Sequence, residues 1–255
     1  MRLSKRFAAI AITVALLVSC LSGMCFGAKT GRTFIAADDG NGRVAVFDAK
    51  GKCIWEFSCR KPYAAFVRDN GNVVMATGHG ACEVGIDKAL VWEYKTKSEV
   101  FAAQPLKNGN ILIGECSTGK ILEVDAKGKI VVEFVSTFKR AGHMNMRTAL
   151  KTAGGTYIVG HLGDKTAREY DRTGKLLKEF KAPDFAYMGL RLKNGNTLVG
   201  HKSGVIEFDK AGKNVWEVTS KDLPDMGFKW INTVYRLNNG NTVIGNWLGH
   251  GQRGK

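Results

Sequence analysis

The chain has 255 residues, 44% of them hydrophobic, with 31 glycines, only 4 prolines and a formal charge of +15. That length and apolar content allow a sizeable core in one or two domains and exclude a disordered, low-complexity chain. The positive balance suits acidic glycans, lipopolysaccharide or nucleic acid, but many of the lysines lie in the repeated turns described below, where they serve as solubilising surface charge.

In chain order, the first segment is a targeting signal. Arg2, Lys5 and Arg6 precede an apolar run from Phe7 to Val18, too short to span a bilayer comfortably. Cys25-Phe26-Gly27 offers a cleavage site before Ala28, giving a leader over 1–27 and a mature domain over 28–255. Leu17-Val18-Ser19-Cys20 also reads as a lipobox, so a lipid anchor on Cys20 is the alternative to a soluble periplasmic or secreted protein. No other segment is apolar enough for a transmembrane span, and export argues against nucleic acid as partner. Export also permits disulfides among Cys53, Cys59, Cys82 and Cys116, with buried free thiols as the alternative; no C-x-x-C pair suggests structural zinc.

From Thr33 onward the chain repeats. A glycine turn followed by an apolar strand recurs at Gly71, Gly109, Gly155, Gly195 and Gly240, which are 38, 46, 40 and 45 residues apart. A strand-closing aspartate with glycine-lysine after it recurs at Asp48, Asp125, Asp171 and Asp209, and in shortened form at Asp87. An apolar strand carrying one glutamate recurs at Glu56, Glu93, Glu133, Glu179 and Glu217, where the one-per-repeat placement predicts solvated edge charges. Short runs rich in β-branched and aromatic residues, punctuated by turns that need positive φ, predict strands. A unit of about forty residues with four strands is a β-propeller blade, stable only when stacked on its neighbours. The predicted fold is therefore all-β: a propeller of about six four-stranded blades, roughly 33–57, 63–94, 100–134, 145–180, 186–218 and an incomplete 231–255. The first lacks an inner strand and the last stops after its second, the pattern of a propeller truncated at its C-terminus.

The run Asn196-Thr197-Leu198-Val199 followed by Val205-Ile206-Glu207-Phe208-Asp209 and Val215-Trp216-Glu217 resembles the repeat of bacterial PQQ-like propeller proteins, and is also similar to that of aryl-sulfotransferase-type propellers. The resemblance covers nearly all of 33–246 and implies a fold rather than an activity, because the matching positions are turn and core residues. No stretch matches a quinone-cofactor site, and no histidine corresponds to the sulfotransferase nucleophile, so the cofactor stays open.

Function is sought in the connections opposite the glycine turns, which vary in length. From Phe134 to Gly155 is 21 residues and from Val218 to Gly240 is 22, against 14 or 15 elsewhere. The long connections contain His143, Trp230 and Asn232, and His250 follows near the C-terminus. Tyr187, Phe228, Trp230 and Trp247 read either as packing between blades or as an aromatic wall around a ligand. The residue after each second strand's closing glycine reads His79, Glu115, His161, His201 and Asn246, a ring able to bind a metal or an anion, to perform acid–base chemistry, or simply to cap strands. The predicted role is an exported, monomeric propeller that binds a small polar molecule, a glycan or a protein. A periplasmic transferase, lyase or hydrolase using the histidines is the alternative, and a redox protein with a quinone or metal a third reading.

Overall fold

The computed structural model describes residues 31–249. They form a β-propeller, a succession of antiparallel sheets. The first sheet has three strands, β1 (Phe34–Asp38), β2 (Arg43–Phe47) and β3 (Cys53–Ser58). The second has seven: β4 (Ala64–Val67), β5 (Val73–Ala76), β6 (Gly78–Val84), β7 (Leu90–Pro105), β8 (Ile111–Glu115), β9 (Lys120–Val124) and β10 (Ile130–Val135). Two four-stranded sheets follow, β11 (Met146–Lys151) to β14 (Leu176–Lys181), through β12 (Tyr157–His161) and β13 (Thr166–Tyr170), and β15 (Ala186–Arg191) to β18 (Asn214–Thr219), through β16 (Thr197–His201) and β17 (Gly204–Phe208). The last described sheet pairs β19 (Ile231–Arg236) with β20 (Thr242–Asn246).

The seven-stranded sheet departs from the predicted break between residues 94 and 100. Strand β7 is 16 residues long; its first part pairs with β6 as an outer strand, and its last part pairs with β8 as the inner strand of the next unit. Two four-stranded units are thereby joined without a loop.

Both repeated turns have one geometry. In Leu192–Asn196 and in Asp209–Lys213 the amide of the glycine donates to the first residue's carbonyl, and the first residue's amide donates to the last residue's carbonyl. Gly195 and Gly212 sit at φ +88° and +87°, which closes a type I turn with a left-handed glycine and bulge. The aspartate reinforces its own turn: Asp209 Oδ1 accepts from the amides of Ala211 and Lys213, each at 2.9 Å.

The core is shared between neighbouring sheets. Ile158, Ala167 and Phe180 of one pack with Ala186, Val199, Ile206 and Phe208 of the next, and Leu198, Val205 and Val218 pack in turn with Ile231 and Val234. Each inner strand, β4, β7, β11, β15 and β19, touches the next around an axis. The glycine near the end of β12 permits this approach: a Cβ on Gly160 would lie 2.2 Å from the carbonyl oxygen of Tyr187 on β15.

A ladder of ion pairs ties the sheets at the glycine-turn end. Glu123, Glu169 and Glu207, on third strands, accept from Lys151, Arg191 and Arg236 at the ends of the following inner strands. Glu123, 2% exposed, also accepts from the hydroxyl of the buried Tyr157. The outer-strand glutamates Glu56, Glu93, Glu133 and Glu217 are exposed, whereas Glu179 is half-buried against Arg168. Cys53, Cys59, Cys82 and Cys116 are free thiols, the last three buried. Burial pushes the Cys59 thiol up to about 11 and that of Cys82 up to about 12. No helix among the described residues is long and apolar enough to cross a membrane.

Candidate functional site

The strand pairings relocate the predicted ring. Register aligns Tyr157 with Tyr170, Ile111 with Val124, Thr197 with Phe208 and Val73 with Val84. Four residues on, the equivalent positions are His161, Glu115, His201 and Thr77. His79 is therefore not a ring member: β5 ends at Ala76, and His79 lies exposed in β6 with Nδ1 3.2 Å from the carbonyl oxygen of Ser98. The cause is the Thr77–Gly78 turn, whose glycine at φ +83° begins the third strand instead of ending the second.

The remaining ring residues are buried and face inward to protein, not to a common ion. His161 is 0% exposed, with Nδ1 3.0 Å from Asn145 Oδ1 and Nε2 3.0 Å from the Tyr170 hydroxyl. Burial, and secondarily the charge of Arg168, lower its pKa to about 3, so the ring is neutral. His201 places Nδ1 2.7 Å from Asp184 Oδ1, and its Nε2 is buried without a hydrogen-bond partner among the described residues. Asn246 Oδ1 accepts from the amides of Lys229 and Trp230. Asn145, Asp184 and the 229–230 amides all lie in the connection leading into the inner strand of the same sheet, so these ring positions fasten the loops of that face. Glu115 accepts from Tyr94 Oη at 2.8 Å and Thr118 Oγ1 at 2.7 Å. Burial pushes its carboxyl up, but hydrogen bonds from Thr96, Thr118 and Tyr94 outweigh burial and hold it below the usual range. Among the described residues no three His, Cys, Asp or Glu side chains converge as metal ligands. His250 lies outside the described residues.

What the inner strands bring together is a different set. Four of them carry a β-bulge at the same place, between Val100 and Ala102, Met146 and Thr148, Ala186 and Met188, and Ile231 and Thr233. The extra residue, Phe101, Arg147, Tyr187 or Asn232, lines an axial cavity of about 190 Å³ at the loop-rich end, which Tyr63, Asp39, His143 and Trp247 complete. A bulge leaves one residue unpaired and re-aims its side chain, and here the device is repeated around the axis. A second space of about 200 Å³, sharing Tyr63, Phe101, Thr148, Asn232 and Thr233, continues along the inner strands.

The cavity has an ordered wall. Tyr63 stacks on Phe101 with centroids 4.2 Å apart, and the Arg147 guanidinium lies over the Phe101 ring at 4.2 Å. His143, at the mouth, meets the Phe101 edge and places Nδ1 2.8 Å from Glu99 Oε2. On the other side Thr148 Oγ1 donates to the Tyr187 carbonyl at 2.9 Å. Trp230 backs the wall, edge-on to Tyr187 at 5.7 Å, stacked on Phe185 at 5.8 Å and 6.2 Å from the Trp247 ring, with Lys202 Nζ 4.8 Å over it. Burial pushes the Tyr187 phenol above its ordinary range. The Tyr63 phenol is raised as well, by burial and then by Asp39 and Glu99, against Arg147. Sequence reasoning reached His143, Tyr187, Trp230, Asn232 and Trp247 through loop length or aromaticity. It missed Asp39, Tyr63, Glu99, Phe101 and Arg147. A signal was present: Tyr63, Phe101, Arg147, Tyr187 and Asn232 each stand eight residues before a turn glycine.

No protein-family model matches the chain, and no curated protein does. Among solved structures it is similar to a Bacteroides caccae protein of unknown function, at 24% identity over 87% of this chain and 85% of that one, with a TM-score of 0.77. It is also similar to virginiamycin B lyase from Staphylococcus aureus (13% identity, 80% and 68% covered, TM-score 0.59). A streptogramin B lyase gives 12% identity over 86% and 80%, with a TM-score of 0.62. A catalytically inactive histidine-to-alanine variant of the Staphylococcus aureus lyase has been solved with quinupristin. At these identities the likeness is one of fold, a β-propeller.

Proposed function

We propose that this protein is an exported β-propeller, residues 28–255 forming one domain of about six blades, that captures a small organic molecule in the axial cavity of its loop-rich face. The observation that carries the reading is the convergence of five positions, Tyr63, Phe101, Arg147, Tyr187 and Asn232, on one cavity. Four of the five reach it through the same strand irregularity, a β-bulge repeated on successive inner strands. Pockets for drug-sized ligands begin at roughly 300 Å³, so a cavity of about 190 Å³ suits a one-ring molecule. Leader-directed export is supported by residues 1–27, with acylation of Cys20 as the anchored form. The test is titration with an uncharged one-ring probe such as benzyl alcohol, followed by nuclear magnetic resonance and tryptophan fluorescence. Binding to the mature protein that disappears in Thr233→Phe, a variant that fills the cavity, supports the reading. Equal binding to both places the ligand elsewhere.

A second reading, an enzyme, rests on His143 and Glu99. The carboxylate holds Nδ1 and leaves Nε2 directed away from it at the cavity mouth, the arrangement of an oriented general base. The fold shared with two lyases, one of them inactivated by replacement of a histidine, favours elimination among the reaction classes. Turnover of quinupristin, the molecule bound by the inactive lyase variant, that is lost in His143→Ala at unchanged melting temperature supports it; equal turnover in that variant overturns it.

A further inference from the structure

Arg147 differs from every other arginine of the fold that is not on the open surface. Arg43, Arg68, Arg168, Arg191 and Arg236 each have a carboxylate partner. Arg147 has none among the described residues. Its Nη1 reaches only the carbonyl oxygen of Met146 at 3.4 Å and the weakly accepting Cys116 Sγ at 3.7 Å. A guanidinium half-withdrawn from water without an anion is a cost that folding does not require, since a neutral side chain would line the same wall.

Its posture is also fixed. One face lies on Phe101, which is backed by Tyr63. Stacking consumes the face of the guanidinium and leaves its in-plane N–H groups to donate outward, the fork that matches a carboxylate. The opposing charges are Asp39 and Glu99. Glu99 is engaged by His143, whereas Asp39 lines the cavity with no side-chain hydrogen bond or ion pair among the described residues. Asp39 repels any anion, and the cost of desolvating the ligand grows with the square of its charge while its attraction to the one guanidinium grows only in proportion, so a singly charged ligand is held where a doubly charged one is not.

Resting on the reading of the axial cavity as a ligand site, we infer that its ligand is a small organic monocarboxylate with a flat, unsaturated body. The carboxylate is gripped by the Arg147 fork, and the ring lies in the aromatic cavity. Phosphate dianions are rejected by Asp39.

The experiment titrates the mature protein with benzoate, benzamide and inorganic phosphate by calorimetry in mildly alkaline buffer, and repeats the titrations with Arg147→Gln, Arg147→Lys and Asp39→Asn. The expected result is that benzoate binds at least tenfold more tightly than benzamide. Arg147→Gln lowers benzoate binding to the level of benzamide binding in the same variant with the fold retained, and Arg147→Lys, which keeps the charge but not the fork, restores only part of the preference. Phosphate competes with benzoate in Asp39→Asn alone. If benzoate and benzamide bind equally and independently of Arg147, the carboxylate inference falls while the cavity reading stands. If phosphate competes in the native protein, the monoanion class is wrong. If neither aromatic probe binds, the cavity reading falls, and the inference with it.

Discussion

The two ends of strand β11 hold a cation each, four residues apart, and the fold treats them oppositely. At the glycine-turn end Lys151 meets the buried carboxylate of Glu123, and the same pairing recurs at Arg191 with Glu169 and Arg236 with Glu207. At the loop end Arg147 meets an aromatic ring and a cavity. One end satisfies its charges by joining neighbouring sheets. The other leaves a charge and a set of bulged side chains facing a space. The contrast divides the molecule into an end that holds the propeller together and an end on which it is free to act.

The sharpest way to break that contrast is to unpair the stable end. Glu123→Ala leaves the Tyr157 hydroxyl buried without its acceptor and Lys151 without its anion, and is expected to cost about 3 kcal/mol in denaturant unfolding. Gly160→Ala tests the close approach of neighbouring sheets. The added methyl meets the Tyr187 carbonyl, so β12 or β15 must shift, at an expected cost of about 2–3 kcal/mol, with weaker binding in the cavity that Tyr187 lines.

The loop fastening at His161 has a pH signature. Its folded pKa is depressed to about 3 from an ordinary 6.5, so below pH 6.5 the unfolded chain binds a proton that the folded chain refuses. The contribution is fully present above pH 6.5 and is lost as pH falls toward 3, at a limiting slope of about 1.4 kcal/mol per pH unit. Unfolding free energies of native protein and His161→Gln, measured from pH 8 to 4, should differ by a constant above 6.5 and converge below it. A pH-independent difference would show that His161 does not refuse the proton. The smallest effect is the most telling: Arg147→Gln should change stability by no more than about 1 kcal/mol, because only the stacking on Phe101 is lost and no ion pair is broken. A large loss there would move Arg147 from the acting end to the holding end.

The repeat made the propeller legible because turn glycines and strand-closing aspartates are local devices: positive φ and an Asx hydrogen bond depend on four or five consecutive residues. The third-strand glutamates were equally visible, two residues before the closing aspartate in Leu122-Glu123-Val124-Asp125 and Ile206-Glu207-Phe208-Asp209, but their cations lie in the next sheet. The histidine ring shows the limit of local alignment. The short connection at Thr77, after which Gly78 begins the third strand, removed His79 from it, and His161 and His201 proved to hold loops, since Asn145 and Asp184 reach their Nδ1 atoms from 16 and 17 residues upstream.

By itself, then, the sequence determined the all-β repeat, the two turns and the end of the propeller where connections vary, because these follow from backbone sterics and periodicity over short spans. Only the tertiary structure decided which side chains meet at the axis. A β-bulge is a mismatch between two strands rather than a property of one, and it alone turns Phe101, Arg147, Tyr187 and Asn232 out of the ladder and into a common cavity.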